Sequence, residues 1–326
     1  MTDTRLPDAL RAATETLALE PGKSLAGRAA ELSAAYRQMT PSSSAVTDRA
    51  DIVAYLLTRM PATYAAVVSV LGEVVGRVAD FAPKSLLDAG AGPGTASWAV
   101  AESFHSVEAV SLLDRNRGLL EMAGELAAAS PNEALARAER IGGSLVAPPV
   151  GQRRFDLVVA AYALAEISDT QLPSAATELW ERCAGVFVII EPGRPRDYQR
   201  LLEVRKALSS AGAEVVAPCP HDAACPLPEG DWCHFSARLQ RSRAHMRAKG
   251  GTIGYEDEKF SYLVVARPHL RISPASARVI RQRTVKKFEI ELPLCGPDGL
   301  ETRKVAKRDA AAFKAARKLD WGDAIG

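Results

Sequence analysis

The sequence predicts an α/β protein built around a doubly wound parallel sheet, on three observations. Short apolar runs alternate with helical stretches from Ala82 to Arg267. A glycine-rich loop, Asp88 to Thr95, directly follows the first of these runs and precedes a helix. An acidic residue, Asp114, closes the next apolar run. Right-handed crossovers between such elements give parallel strands with helices on both faces and a ligand crevice at the carboxyl ends of the strands.

A helical region precedes the sheet, and residues 1–80 are predicted to be helical. Between Pro61 and Phe81, apolar residues recur at the i, i+3, i+4, i+7 spacing of a helix. The later apolar runs have the length and composition of buried parallel strands. The predicted strands are Ser85–Asp88, Ala109–Leu113, Phe155–Ala160, Val186–Ile190, Ala213–Ala217 and Phe260–Ala266. The predicted helices between them include Thr95–Ser103, Gly118–Ala129 and Leu172–Cys183.

The chain departs from this alternation in two places. Pro218 to Lys259 forms an insert between the last two strands, with three cysteines and the basic stretch 238–251. Beyond Pro268, alternating apolar residues predict a small β element, and Arg308–Leu319 predicts a basic amphipathic helix. The predicted division is an N-terminal helical region (1–80), an α/β domain (81–267) that carries the insert 218–259, and a basic C-terminal β extension with a helix (268–326).

Composition excludes several classes of protein. With 326 residues, 47% hydrophobic and 25% charged, the chain has the composition of a globular protein with a large core. No apolar stretch approaches the ~20 residues of a membrane helix. The N-terminus lacks the basic start and apolar run of a secretory signal. These observations predict a cytoplasmic protein without a membrane partner, and we expect a monomer.

Charge is distributed unevenly along the chain. The net charge is only +2, but His234 to Gly326 contains 20 lysines and arginines against 10 acidic residues. The preceding 233 residues contain 21 against 29. This asymmetry favours a polyanionic partner for the basic C-terminal third, and a solvated basic face without a ligand is the alternative.

The glycine-rich loop carries the first candidate site. Glycines permit a tight turn and a close approach of the backbone to a ligand, and a helix N-terminus favours negative charge. Asp114 follows about 20 residues later, where a ribose hydroxyl would lie. The pattern D-x-G-x-G-x-G resembles motif I of class I methyltransferases more than the loop of dehydrogenases. The candidate residues for S-adenosylmethionine are Asp88, Gly90, Gly92, Gly94 and Asp114. A nicotinamide or flavin, or a turn without a ligand, is the alternative.

Catalytic residues are not identifiable in the same way. The predicted strand Phe155–Ala160 leads into AYALAEI (161–167), without the N-P-P-Y tetrapeptide of amino-group methyltransferases. The Pro-Cys nucleophile of cytosine C5 enzymes is also absent from this stretch. Cys183 lies in an apolar helix end and is expected in the core. Tyr162, Glu166 and Glu191 lie at the correct edge of the sheet, but none is recognisable as a general base.

Four cysteines form the second candidate site. Cys219, Cys225 and Cys233 are separated by five and seven residues, and Cys295 follows 61 residues later. Four thiolates can hold a zinc ion or an iron–sulfur cluster. The gaps are wider than the C-x₂₋₄-C pairs of zinc ribbons and suit a larger cluster. Cluster, zinc and unligated cysteines all remain open on spacing alone.

Several segments together resemble a known family over most of the chain. They are YLLTRMPATYAA (55–66), LLDAGAGPGT (86–95), AYALAEI (161–167), IIEPGRPRDY (189–198), CPHDAACPL (219–227), WCHFSARLQRS (232–242), FSYLVVAR (260–267) and ARKLDWGD (316–323). With them the chain resembles the methyltransferase-like assembly factors of the mitochondrial small ribosomal subunit and their bacterial relatives.

The resemblance implies a class I methyltransferase fold, which is Rossmann-like, with a [4Fe–4S] cluster on four cysteines. These cysteines match Cys219, Cys225, Cys233 and Cys295. It also implies binding to small-subunit ribosomal RNA, in agreement with the basic C-terminal third. The expected function is an S-adenosylmethionine-binding, iron–sulfur methyltransferase-like protein that acts on small-subunit RNA. A non-catalytic RNA-binding assembly factor and a zinc-containing small-molecule methyltransferase are the alternatives.

Overall fold

The computed structural model describes residues 3–19, 25–37 and 42–326. Its N-terminal part is helical, as predicted, although residues 1–2, 20–24 and 38–41 of that region lie outside the described chain. The helices are α1 (Asp8–Leu17), α2 (Leu25–Arg37), α3 (Ser42–Ala45), α4 (Arg49–Thr58) and α5 (Met60–Arg77). Helix α4 begins at a capping box, in which the Asp48 carboxylate accepts from the Asp51 amide at 2.9 Å.

Among the described residues, no individual helix has the length and apolar composition to cross a membrane. The α4–α5 pair, bent by 47°, meets these criteria only when both helices are taken together.

A large mixed sheet follows the helical region. In chain order the elements are β1 (Ser85–Ala89), α6 (Thr95–Ser103), β2 (Ala109–Asp114), α7 (Arg117–Ala127), α8 (Glu133–Ala136), β3 (Glu139–Gly142), β4 (Phe155–Ala161), a 3₁₀ turn (Leu164–Glu166), α9 (Leu172–Glu181), β5 (Cys183–Pro192), α10 (Pro195–Ser210), β6 (Glu214–Ala217), β7 (Phe235–Gln240), α11 (Arg243–Lys249) and β8 (Tyr255–Ala266). The strand order is β3-β2-β1-β4-β5-β8-β6. Strands β1 to β5 are parallel, and β8 is antiparallel to both β5 and β6. This is the predicted Rossmann-like class I methyltransferase fold.

Both faces of the sheet are buried. Leu86 and Leu157 point to the layer that contains α4 to α7, whereas Leu87 and Val158 point to the layer of α9 and α10. Successive side chains on a strand alternate between faces, so a continuous apolar run is required where both faces are covered. Chain order reverses between β1 and β4, and a crevice opens there at the carboxyl ends of the strands.

The insert contains more regular secondary structure than the sequence predicted. Strand β7 and helix α11 lie within it, and β8 begins at Tyr255 instead of Phe260. Strand β7 pairs with the first half of β8, from Phe235 opposite Phe260 to Gln240 opposite Tyr255. The insert therefore extends the main sheet as a β-ribbon, because it uses the part of β8 that projects beyond β5.

The C-terminal part forms a second, smaller sheet, as predicted. Its elements are β9 (Ala277–Val279), β10 (Thr284–Val285), β11 (Glu289–Gly296), β12 (Gly299–Ala306), α12 (Ala310–Ala316) and β13 (Ala324–Ile325). Its core contains Val279, Ile290, Leu292 and Leu294, with Ala316 of α12 packed against them. The helix that was predicted at Arg308–Leu319 is shorter at both ends in the structure, where it spans Ala310–Ala316. The domain division at residues 80 and 267 stays a prediction.

The prediction that Cys183 ends a helix was wrong. Cys183 is the first residue of β5, not the end of the preceding helix, which stops at Glu181. A short apolar run satisfies both helical and strand patterns, so periodicity alone does not separate them. The thiol is nevertheless in the core, as expected, and burial raises its pKa to about 12.

Candidate functional site

The glycine-rich loop joins β1 to α6 in a conformation that glycine allows at each turn. Gly90, Gly92 and Gly94 have φ angles of +80°, +53° and +81°, which other residues adopt only at a cost. A Cβ on Gly90 would lie 2.3 Å from Ala163 Cβ. The Gly90 amide donates to Leu113 O at 2.7 Å. The loop is therefore held against the end of β2 and passes close under the segment that follows β4.

Asp88, in β1, supports the glycine-rich loop through hydrogen bonds to α6. Its side chain is 1% exposed, and Oδ2 accepts from the Ser97 amide at 3.0 Å and the Ser97 hydroxyl at 2.7 Å. Burial raises the pKa of Asp88 to about 7, and the Ser97 hydrogen bonds oppose this rise. The carboxyl group thus ties β1 to the first turn of α6.

Asp114 closes β2 and meets the loop from the other side. Its Oδ2 accepts from the Gly92 amide at 2.8 Å, and its Oδ1 accepts from the Asn116 amide at 2.8 Å. Burial raises its pKa above the ordinary value. The structure therefore brings the five predicted residues into one strand–loop–helix unit.

A cavity of about 790 Å³ opens beside this unit at the carboxyl ends of the strands. Gly90, Gly92 and Asp114 are among its lining residues, whereas Asp88 and Gly94 are not. Ligand sites for small molecules and cofactors commonly enclose about 300–1,000 Å³. The cavity is thus large enough for a nucleoside-sized cosubstrate.

Tyr162 lies in the cavity wall immediately after β4. Its φ of +59° is one of two positive values at described non-glycine residues. Its hydroxyl donates to Glu258 Oε1 at 3.0 Å, and Arg59 Nη2 lies 3.9 Å from the same oxygen. Strained backbone of this kind often occurs at functional sites. Sequence reasoning selected Tyr162 but missed Arg59 and Glu258, which reach it from α5's start and from the insert ribbon.

The other acidic residues at this edge each have a hydrogen-bond or ion-pair partner, although Glu191 Oε2 is buried without one in the described part of the chain. Glu166 forms an ion pair with Arg115 at 2.8 Å. Glu191 is buried, accepts from the Leu164 amide at 3.0 Å and has a pKa raised well above its ordinary value by burial. Glu256, which lines the cavity from the insert ribbon, forms an ion pair with Lys249 at 2.6 Å.

A second, smaller cavity contains the cysteines. All four predicted ligands, Cys219, Cys225, Cys233 and Cys295, line one space of about 40 Å³. All four thiols are free. Burial, then the proximity of the other three thiols, raises the pKa of Cys233 well above its ordinary value. Among the described residues, no three His, Cys, Asp or Glu side chains converge as the ligands of one metal ion.

Polar groups surround the thiols. Tyr198 Oη lies 2.9 Å from Cys225 Sγ, and His221 Nε2 lies 3.6 Å from Cys295 Sγ. The Ser261 hydroxyl donates to Cys233 O at 2.8 Å. The four cysteines come from the end of β6, the loop before β7 and strand β11, so the cavity exists only where the main sheet meets the small sheet.

Arg278 joins these parts. Its side chain is buried, and its guanidinium contacts both carboxylate oxygens of Glu73 on α5 at 2.7 and 2.9 Å. It also donates to Pro218 O at 3.0 Å and Gly322 O at 2.8 Å. One side chain therefore links the helical region, the start of the insert and the C-terminal segment.

The C-terminal sheet and α12 present an exposed basic face. Cations in the strands are paired, as Arg303 of β12 is with Glu301 at 2.6 Å. Among the described residues of this sheet and of the segment with α12, six exposed cations have no ion pair: Lys287, Lys307, Arg308, Lys314, Arg317 and Lys318. Unpaired surface cations attract polyanions.

Comparison with known proteins identifies relatives of this chain. Human ribosome assembly protein METTL17, mitochondrial, is 26% identical over 289 residues, covering 83% of this chain and 61% of that protein. The Rsm22-cox11 tandem protein 2, mitochondrial, of Schizosaccharomyces pombe is 26% identical over 329 residues. That match covers 83% of this chain and 42% of the yeast protein. The chain thus spans roughly half of the length of these relatives.

A likeness to solved structures accompanies these matches. Magnesium protoporphyrin IX methyltransferase from Synechocystis PCC 6803, with bound SAM, is 16% identical, with a TM-score of 0.41. The likeness covers 64% of this chain and 81% of that one.

The relatives also correct one expectation. The cytoplasmic location predicted from the N-terminus and composition is wrong against this comparison, since the names of the human and yeast proteins both place them in mitochondria.

The family model described as mitochondrial small ribosomal subunit Rsm22 matches residues 49–326. That range takes in the glycine-rich loop, all four cysteines of the second cavity and the basic face. The chain belongs to the Rsm22 family.

Proposed function

We propose that this chain is an S-adenosylmethionine-binding, methyltransferase-like protein that acts on small-subunit ribosomal RNA during ribosome assembly. The proposal includes a [4Fe–4S] cluster bound by the chain. The observation that carries it is the 790 Å³ cavity at the switch point of the sheet, lined by Gly90, Gly92 and Asp114. The names of the relatives, a ribosome assembly protein among them, support the choice of partner.

The proposed roles at the cosubstrate site follow from the contacts. Gly90 and Gly92 permit the ligand to approach the backbone, and the Asp114 carboxylate accepts from the ribose hydroxyls. Asp88 positions the loop through Ser97, and Gly94 begins α6. When bound, S-adenosylmethionine supplies a methyl group on a sulfonium. The contribution of the chain is to position that group and exclude water from it.

The cysteine cavity fits an iron–sulfur cluster better than zinc. Four thiols face one space, and thiolates are the usual ligands of [4Fe–4S] clusters. The cysteines also lack the closely spaced C-x₂₋₄-C pairs that are typical of zinc ribbons. Cys219, Cys225, Cys233 and Cys295 would hold the cluster. It would then tie the insert to the C-terminal sheet, coupling its binding to folding.

A non-catalytic assembly factor is the second candidate, and one observation favours it. The described acidic groups in the cavity wall are all engaged: Asp114 by two backbone amides, Glu166 by Arg115 and Glu256 by Lys249. A general base needs a carboxylate or imidazole free to accept a proton. In the first candidate the base is therefore supplied by the RNA, and in the second there is no methyl transfer.

Two measurements test the cosubstrate site. Calorimetric titration with S-adenosylmethionine should show binding to the wild type and none to Gly92→Arg. The Cβ at position 92 meets nothing within 4 Å, so the new side chain extends into open space at the cavity. Methyl transfer to immature small-subunit RNA that disappears in Gly92→Arg selects the enzyme. Binding without transfer selects the assembly factor, and no binding overturns the cosubstrate proposal.

Anaerobic purification followed by iron, sulfide and zinc analysis tests the cluster. We expect brown protein with about four iron and four sulfide per chain. Cys295→Ser should lose that content and destabilise the insert and the small sheet together, because one site joins them. Cys183→Ser is the matched control, since Cys183 lies in the core of the main sheet and away from the cavity. Zinc in place of iron, or full metal content in Cys295→Ser, contradicts the assignment.

A further inference from the structure

The turn between β10 and β11 presents an aromatic ring to solvent. Lys286 N donates to Glu289 O at 2.9 Å, and Val285 pairs with Ile290. Lys287 and Phe288 therefore form a two-residue connection, which we call the hairpin tip. Phe288 is 67% exposed, and the core of the small sheet does not include it. Alternation along the sequence would have placed this side chain in a strand.

This turn differs from the commonest two-residue hairpin turns. Two-residue hairpins favour Asn-Gly or similar pairs, which adopt positive φ without cost. Neither Lys287 nor Phe288 is among the described residues with positive φ. A large apolar ring at such a position buries little area and gains little stability. A local choice that folding does not explain is more often found at a functional surface.

Cations without an ion pair in the described structure surround the hairpin tip. Lys287 Nζ lies 5.1 Å from the centroid of the Phe288 ring. The Lys307 amide donates to Phe288 O at 2.7 Å, so the backbone of Lys307, followed by Arg308, lies beside that of Phe288. Lys286, directly before the tip, is in contrast paired with Glu289 and Glu291, and Lys304 of β12 also lies near Glu291. Uncompensated positive charge is thus concentrated around the one exposed phenylalanine ring of this sheet's described residues.

We infer that the hairpin tip, with Lys307 and Arg308, binds single-stranded RNA by stacking one unpaired base on the Phe288 ring. An aromatic ring offers a face to any base, and adjacent cations contact the phosphates on either side. In a duplex the bases are already stacked on each other, and a single ring at a turn does not reach them. This inference rests on the proposed function, because it names the form of RNA that the basic face takes.

Fluorescence anisotropy with a labelled oligouridylate and with a blunt RNA duplex of equal length tests the inference. Phe288→Ala should weaken binding to the single strand roughly 5- to 100-fold, which is the loss of one stacked base. Binding to the duplex should not change. Phe288→Trp should retain the single-strand affinity. Leu19→Ala removes another exposed apolar side chain, 79% exposed and far along the chain, and should have no effect on either RNA.

A second variant separates stacking from charge. Lys307→Ala/Arg308→Ala should weaken binding to both RNAs. For the single strand, the plot of the logarithm of the binding constant against the logarithm of the salt concentration should become less steep by about 1.4. Equal single-strand affinity for Phe288→Ala and wild type overturns the inference while leaving RNA binding in place. Equal weakening on both RNAs also overturns it. Oligoglutamate is added as a competitor to the wild type and to Phe288→Ala. If this acidic peptide displaces the single strand from the wild type only, the hairpin tip binds an acidic protein segment, and the inference is wrong. A wild type that binds neither RNA overturns the proposed function itself.

Discussion

The two candidate sites are built in opposite ways. The glycine-rich part of the cosubstrate site comes from one local unit, β1, the loop and the end of β2, within residues 85–114. The cysteine cavity takes its lining from α10, the insert, β8 and the small sheet, between Tyr198 and Leu300. The first depends on backbone conformations that a few glycines allow, and the second on the docking of segments far apart in sequence. Substitutions that disturb the docking of the C-terminal sheet should therefore affect the second site more than the glycine-rich loop.

The largest effect should follow from the buried ion pair that holds the docked segments. Glu73→Gln leaves the Arg278 guanidinium, whose side chain is 2% exposed, without its carboxylate partner. Breaking a buried pair in this way costs about 3–5 kcal/mol. Urea unfolding should show that loss, together with loss of metal from the cysteine cavity.

The matched control is Glu289→Gln, which removes an exposed partner of Lys286. Such a pair contributes about 0–1 kcal/mol. A Glu73→Gln protein as stable as this control would contradict the role of Arg278 as the link between the segments.

The next effect is a pH dependence that belongs to the cosubstrate site. The folded-state pKa of Asp88, about 7, lies above its ordinary 3.8, so the native state binds an extra proton between these values. Stability from this group is complete below pH 4 and is lost as pH rises through 7. The change is at most about 4 kcal/mol. Asp88→Asn, which keeps an acceptor for Ser97, should flatten the curve of unfolding free energy in this window. Identical curves for both proteins would show that the pKa of Asp88 is not raised in the folded state.

A smaller effect distinguishes two glycines of the same loop. Gly90→Ala combines a positive φ with a Cβ 2.3 Å from Ala163 Cβ, and should cost about 2–3 kcal/mol. Gly92→Ala has only the positive φ and should cost about 1 kcal/mol. Thermal unfolding measures both, and iron content should remain unchanged in both. Loss of iron in Gly90→Ala would show that the two sites are not independent.

The smallest effect concerns one hydroxyl at the cysteine cavity. Ser261→Ala removes the donor to Cys233 O in a residue that is 1% exposed, at a cost of about 1 kcal/mol. Ser103→Ala, which removes a hydroxyl bound to Ala99 O within α6, is the control. Faster loss of iron to a chelator is expected in Ser261→Ala only. Equal rates in the two variants would remove Ser261 from the support of the site.

The same comparison explains what could be predicted from sequence. The loop from Asp88 to Gly94 was readable because local turn chemistry determines it, and the fold prediction was confirmed with it. Its role in cosubstrate binding stays a proposal. The roles of Arg59 and Glu258 could not be predicted from the sequence, since these residues reach Tyr162 only through the packing of α5 and the insert ribbon. No local pattern marks such residues.

The cysteines and Phe288 illustrate the same limit. Spacing identified four cysteines, but only the fold brings Cys295 beside the other three at one cavity. Alternating apolar residues predicted the small sheet correctly, yet the alternation carried through the turn and included Phe288 with the strand residues. A two-residue connection changes the direction of the chain without interrupting the apolar pattern, so the exposed position of this ring followed only from the hydrogen bonds that define the turn.

Strand β8 gives the two sites a common element. Glu258 accepts from the Tyr162 hydroxyl, and three residues later Ser261 donates to the Cys233 carbonyl. An odd separation puts these side chains on opposite faces of the strand. A shift of one residue in the pairing of β8 with β5 would exchange the faces and remove both contacts together. Amide protons of β8 should therefore exchange with solvent as one cooperative unit, and opening of that unit would release the cosubstrate wall and the cysteine cavity in a single event.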